Sequence, residues 1–371
     1  MAEAVGTARR LRRVALGLGI TATAATAAVA AQRVAARRLR SRDDPESGEV
    51  FGSLPPEDLG PVTAFDGTHL HVRAAGPQGA PTLVFLHGFS LDMSTWHYQW
   101  RALSDRYRCV LVDQRAHGRS SKPVSGDYSL MAMGKDVKAV LEEAVPEGPA
   151  VLVGHSMGGM AILSFARQFP EEFGGRVAGV VLTDTAASDL LREVFGGLGI
   201  RLGWALRRVG DRYTARPDLA ERLQRRIRRY GVDLTFLVGW ITNFGPGASP
   251  SQVEHVSRIS ADAHPEVWTH TLRDLVEMDL RHALKHVTVP ALVIVGDRDL
   301  VTPKTSALAL RAALPDARAV VITGAGHVSM MEKHRVWNEV VSGYLDQMLS
   351  LRPGARRPHR HRGRRTAASS R

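Results

Sequence analysis

The sequence predicts an α/β protein, a doubly wound and mostly parallel sheet with a helical cap inserted in it. Three observations carry this. Short apolar runs recur through the body of the chain, helical stretches separate most of them, and one interval of about a hundred residues contains no such run.

In chain order, Val62–Phe65, the Asp66-Gly67 turn and His69–Arg73 read as a hairpin. The buried-strand runs follow at Thr82–Leu86, Cys109–Val112, Ala150–Val153, Gly179–Thr183, Ala291–Val295 and Ala319–Ile322. Runs without polar alternation suit strands covered on both faces, as in a parallel sheet with right-handed crossovers. Ser129–Ala144, Met157–Gln168, Pro303–Leu314 and Glu332–Leu349 read as helices. The interval between Thr183 and Ala291 holds Arg-rich and aromatic material such as Phe195, Trp204, Phe236, Trp240 and Phe244. A structureless loop of that size does not belong in a compact domain, so 188–275 is assigned to a helical cap. The core is then 61–187 with 276–351, 43–60 is a Pro-containing linker, and 1–42 and 352–371 are terminal segments.

The formal charge of +12 would ordinarily suggest nucleic acid or a membrane, but it is not spread evenly. Residues 1–42 carry +8 and residues 352–371 carry +8, leaving the body at −4. No specific nucleic-acid surface is expected; the basic ends instead suit an anionic membrane surface. Residues 14–32 form an uncharged run of bilayer length, rich in Ala and flanked by Arg on both sides, which leaves its orientation undetermined. It is read as a marginal membrane-associated helix, with a soluble helix in a cytoplasmic protein or a cleaved signal as the alternatives. The Arg-rich tail from 352 has no apolar periodicity and is expected to be disordered. Cys109 is the sole cysteine, so no intrachain disulfide or multi-cysteine metal site is available, and no metal or other cofactor is expected.

Gly154-His155-Ser156-Met157-Gly158 is a G-x-S-x-G sequence, weak alone but set between a strand and a helix. A nucleophile at such a turn needs neighbours without bulk, and the following helix aims its free N–H groups at a developing oxyanion. Asp297 and Asp299 follow the Ala291–Val295 strand, and His327 follows the last strand on a glycine-flanked loop. Ser, acid, His is the chain order of one triad type, giving Ser156 as nucleophile, His327 as base and Asp299 as the orienting acid. Asp297 is expected to brace the loop, and Asp184 is a remoter alternative acid.

From about 61 to 350 the chain resembles the α/β-hydrolase superfamily. His87-Gly88-Phe89 matches its oxyanion loop, Asp113–Ser120 its D-x-R-G-x-G-x-S segment with Ala116 where Gly is usual, and Gly154–Gly158 its nucleophile elbow. Gly296–Pro303 and Gly324–His327 match the acid and base loops. The resemblance implies an oxyanion hole from the Phe89 and Met157 amides, with His87 structural. Serine at the elbow favours acyl transfer, hence hydrolysis of a carboxylic ester or thioester in the manner of a carboxylesterase or lipase. The same triad serves a perhydrolase or acyltransferase, and a slow ligand receptor on the same fold is a third possibility. Met93, Trp96, Met160, Trp240, Phe244 and Val328 are the expected pocket walls, suited to an apolar acyl group.

Overall fold

The structure is a computed structural model and describes residues 29–188, 222 and 231–350. Eight strands form one sheet in the order β1-β2-β4-β3-β5-β6-β7-β8. They are β1 (Glu57–Thr63), β2 (His69–Ala75), β3 (Thr82–Leu86), β4 (Arg108–Val112), β5 (Ala150–His155), β6 (Val177–Thr183), β7 (Ala291–Gly296) and β8 (Ala317–Ile322). β1, β2 and β4 pair antiparallel, while β4 through β8 run parallel. β3, β5, β6 and β7 are buried at every position, which is why they lack polar alternation. The strand order reverses about β3, between β4 and β5, and a crevice opens at such a point beyond the strands' carboxyl ends.

Ten described α-helices flank this sheet or lie in its connections. They are α1 (29–40), α2 (His97–Leu103), α3 (Leu130–Ala144), α4 (Met157–Gln168), α5 (Val232–Asn243), α6 (Pro250–Asp262), α7 (Leu272–Glu277), α8 (Lys304–Ala313), α9 (Ser329–Glu332) and α10 (His334–Ser350). Ser129 caps α3 by accepting the Ala132 amide, and Ser249 with Gln252 forms a capping box on α6, whose first residue is Pro250. The helix expected over Glu332–Leu349 is α10, which begins two residues later, at His334, because the chain turns at Lys333 after the short α9. Helix α2 was not anticipated.

Two apolar clusters cover the sheet faces, one including Val84, Leu152 and Met160 from alternate strands and α4, the other including Phe85, Trp96, Val153 and Trp337. The described part of the interval between β6 and β7 is helical, and its ends are stitched together. The Leu280 amide donates to the Ala187 carbonyl at 2.7 Å, and Ser188 bridges to Asp279.

The linker reading of 43–60 needs correction. β1 begins at Glu57, and the residues before it are docked on the body. Arg40 pairs with Asp233 and Glu254 and lies 4.4 Å above the Phe236 ring; Asp44 accepts from the Ser251 amide at 3.1 Å. Glu46 accepts from the Tyr98 hydroxyl, Glu49 meets His97, and Phe51 stacks on His255 with ring centroids 5.0 Å apart. Residues 36–51 are therefore a strap joining α5 and α6 to the core. Residues 14–28 of the uncharged run, the tail from 352, and the Arg-rich stretch 189–230 apart from Arg222 lie outside the described residues. Among the described residues, no helix is long and apolar enough to cross a membrane.

Candidate active site

At the end of β5 the backbone turns so sharply that Ser156 adopts φ +50° and ψ −118°. A non-glycine residue held there stores strain of order 1–3 kcal/mol, which the surrounding structure must sustain. The flanking glycines are required by contact. A Cβ on Gly158 would lie 2.1 Å from the Leu86 carbonyl oxygen, and one on Gly154 would lie 2.5 Å from the Gly159 amide nitrogen. Because β5 and α4 press so closely on β3, the loop after β3 also reaches the turn: a Cβ on Gly88 would stand 3.2 Å from the Ser156 Cβ. Phe89 is thereby set next to the serine. Met157 is the first residue of α4, so its N–H has no acceptor within the helix.

The structure brings the three expected residues together. The Ser156 hydroxyl lies 3.0 Å from His327 Nε2, and His327 Nδ1 lies 2.9 Å from Asp299 Oδ2. All three are buried. Both Asp299 oxygens are occupied, since Oδ1 accepts the Val301 and Thr302 amides and Oδ2 also accepts the Thr302 hydroxyl at 2.7 Å. Burial alone would raise the Asp299 pKa, but the attraction and hydrogen bond of His327, with the Thr302 bonds, hold it below the usual range. For His327 burial pulls down, while Asp299 and then Asp184 pull up more strongly, so its pKa is raised. Asp297 points elsewhere and accepts the Gly324 amide at 2.6 Å, which ties the acid loop to the base loop.

Three further groups fix this arrangement, and two of them escaped the sequence reading. His155 donates from Nε2 to the His327 carbonyl at 2.8 Å; burial, then the His327 charge, lowers its pKa to about 3, so it is neutral. Glu332, buried on α9, accepts the Gly245 and Gly326 amides and clamps the insertion to the base loop. Helical spacing gives no sign of this, because an acid on a helix is normally solvated. Asp184 is not the orienting acid: it accepts the Gly296 amide and both the amide and hydroxyl of Ser329, joining β6 to the acid and base loops. Burial and the Asp299 charge push its pKa up to about 8.

His87 is structural. Its Nδ1 donates to the Gly88 carbonyl and its Nε2 accepts the Gln114 amide at 3.0 Å. Ala116 has φ +61°, which explains why glycine suits that place. Its neighbour Arg115 is fully buried and forks onto Asp136 at 2.6 and 2.5 Å.

The expected pocket walls divide. Met157, Met160 and Val328 are buried in the elbow, in its helix and beside the base. Phe244 packs its backbone against Gly326, within 2.6 Å of where a Cβ would stand, next to His327. Trp96 instead lies in the core, fully buried, between Phe85 and Trp337. Trp240 packs on Phe236 under the Arg42 guanidinium, at the strap and not over the serine. Met93 lines a separate cavity of about 410 Å³ with Asp113, Arg258 and Asp262. A residue not anticipated, Trp268, stands edge-on to Phe89 at 4.9 Å. Among the described residues no cluster of His, Cys, Asp and Glu could hold a metal ion.

Comparison with known proteins fits this architecture. The family described as the α/β hydrolase fold matches residues 81–334. The chain is similar to 3-oxoadipate enol-lactonase 2 of Acinetobacter baylyi, 28% identical over 74% of this chain and 92% of the relative. It is 32% identical to the non-heme chloroperoxidase of Streptomyces lividans, over 67% of this chain and 85% of that one. Among solved structures, a thermophilic esterase from Thermogutta terrifontis superposes with a TM-score of 0.63 at 26% identity, covering 79% of this chain and 99% of its own. With the match spanning more than half of its length, and the strand order that such a fold requires, the chain belongs to the α/β hydrolase fold family.

Proposed function

We propose that this protein is a serine hydrolase that cleaves a carboxylic ester, a lactone or thioester included, through an acyl-Ser156 intermediate. The observation that carries the proposal is the unbroken relay from Ser156 through His327 to Asp299 at 3.0 and 2.9 Å; the family resemblance assigns the oxyanion hole to the amides of Phe89 and of Met157, the residue after the serine. In this reading His327 Nε2 takes the hydroxyl proton as Ser156 Oγ bonds to the substrate carbonyl carbon. The amides receive the oxyanion, and the tetrahedral intermediate collapses as His327 returns the proton to the departing alkoxide. Water then repeats the sequence on the acyl ester, giving the acid and free serine. Asp299, held ionised, keeps the His327 Nδ1 proton facing it and stabilises the imidazolium. Phe89, edge-to-face with the partly exposed Trp268, offers apolar surface to the acyl group, while the fully buried Met157, Met160 and Val328 pack behind the elbow and the base loop.

A fluorophosphonate should label the chain once, at Ser156, and Ser156→Ala should abolish labelling and lower kcat on short esters by at least ~10³-fold. Labelling of Ser156→Ala at the wild-type rate would overturn the assignment. The likeness to a chloroperoxidase favours a second reading, in which hydrogen peroxide replaces water in the second half-reaction. Peracid formation from a short carboxylic acid and peroxide, lost in Ser156→Ala, would establish it.

A further inference from the structure

Helix α5 carries large apolar side chains on its outward as well as its inward face. Its inner face, Phe236, Gly239 and Trp240, is buried against the strap and α6, as expected for an amphipathic surface helix. Its outer face should then be polar. Apart from the exposed Thr242 at its end, it presents Leu234, Val238 and Ile241, at helical spacing and between 50% and 63% exposed, with Val232 also exposed at the start of the helix. Large apolar side chains grouped on an outward helix face mark a surface that meets another apolar phase.

What lies beside it carries the opposite chemistry. Helix α1 docks on α5 through Arg40, which pairs with Asp233 and covers Phe236. Beyond that anchor α1 exposes Arg33, Arg37 and Arg38 together with Val29 and Val34. The chain entering α1 at residue 29 is the uncharged run 14–28, preceded by Arg9, Arg10, Arg12 and Arg13. Exposed apolar side chains on α5 and exposed guanidinium groups on the helix docked to it match an acyl boundary overlaid with anionic headgroups.

We infer that the outer face of α5, with α1 at its side, docks on an anionic lipid bilayer. Leu234, Val238 and Ile241 enter the headgroup boundary, and the arginines of α1 meet lipid phosphates. The inference is independent of the chemistry at Ser156. It also differs from simple tethering by the basic ends, since it places a particular surface of the insertion against the lipid.

The test uses the full chain and vesicles of phosphatidylcholine with phosphatidylglycerol, compared with phosphatidylcholine alone. The variant Leu234→Gln/Val238→Gln/Ile241→Gln should lose about tenfold or more in partitioning onto the mixed vesicles. Val124→Gln/Leu308→Gln, exposed apolar positions outside the insertion, should bind as the parent does. The thermal transition of each variant checks its fold. A second measurement does not depend on the triple variant. Cys109 is buried, with its thiol pushed up to about 12, so an environment-sensitive fluorophore attached at Ile241→Cys reports that position alone. It should shift to the blue on mixed vesicles and be quenched by brominated acyl chains. Equal partitioning of the triple variant and its parent would overturn the inference, as would vesicle binding with the fluorophore still in water. A fluorophore shielded before any vesicle is added would mean that the chain itself or a second copy covers the face, and would overturn it as well.

Discussion

The carboxyl edge of the sheet and the insertion above it are held by different physics. At the sheet edge, Asp299, Asp184 and Glu332 are buried carboxyl groups, each engaged by backbone amides, and His155 binds the carbonyl of the very residue it steadies. Such bonds are costly to break, because the partner left behind is desolvated. The described part of the insertion meets the core through Glu332, through Gln252 on the Met331 carbonyl and through apolar packing of α6, and on its other side it is held by the strap, whose Arg40 pairs with a Glu254 that is itself about half exposed. Exposed pairs of that kind contribute little and weaken with salt. Side chains on the first kind of scaffold are held by bonds that are costly to break, while the strap's exposed pairs can yield.

Three substitutions would break or sharpen that contrast. The largest effect belongs to Asp299. Asp299→Asn should lower kcat on the order of 10⁴-fold by presenting the wrong imidazole tautomer, whereas Asp297→Asn should change it little, since Asp297 only ties two loops. Steady-state rates on one ester decide it, and equal losses would mean the wrong carboxylate has been assigned. The pH profile adds an independent reading. His327 must be neutral to accept the serine proton, and its pKa is raised from 6.5. Activity should therefore rise with pH through a midpoint above 6.5, and the residual activity of Asp299→Asn should rise at lower pH, because the attracting charge is gone.

A smaller effect concerns Asp184. Its folded pKa is raised to about 8, so between its unfolded value of 3.8 and about 8 the native state holds a proton that the unfolded chain releases. The stability from this group is complete below that window. It declines by about 1.4 kcal/mol per pH unit across the window and is gone above it. Asp184→Asn removes the titration, so the difference in Tm between parent and variant should shrink from about pH 5 to about pH 9. A constant difference would show that Asp184 is ionised throughout.

The smallest effect is at the strap. Arg40→Ala removes two ion pairs and a cation–π contact, and should cost about 1 kcal/mol, read as a lower Tm and faster proteolysis within 231–262. Unchanged proteolysis would mean that the strap does not hold the insertion.

The same contrast decided what could be read from the sequence. The turn at Ser156 and the loop at His327 are local, and close approach of backbones forces glycine at Gly154, Gly158 and Gly326, so the chemistry leaves a pattern within five residues. The strands were legible because burial on both faces removes polar residues from them. The strap was not, because prolines in 43–60 look like a linker whether or not the side chains between them find partners two hundred residues away. Trp96 and Trp240 were placed at the pocket because size and apolarity do not reveal which side of a helix faces which neighbour. Glu332 stayed hidden for a related reason. Its two partners, Gly245 and Gly326, come from segments that only the folded chain brings together.

The strap also orders events in time. Arg40 waits for Asp233, 193 positions later; Asp44 waits for Ser251, 207 later; and Glu46 waits for His334, 288 later. At synthesis rates of about 5–20 residues per second, that last partner emerges roughly a quarter of a minute to a minute after Glu46 has left the ribosome. Contacts of such separation close late, when most of their loop entropy has already been lost to the folding of the sheet. The strap is thus made well before the partners that seat it. Throughout that interval its charged and aromatic side chains lie without the partners they hold in the folded chain.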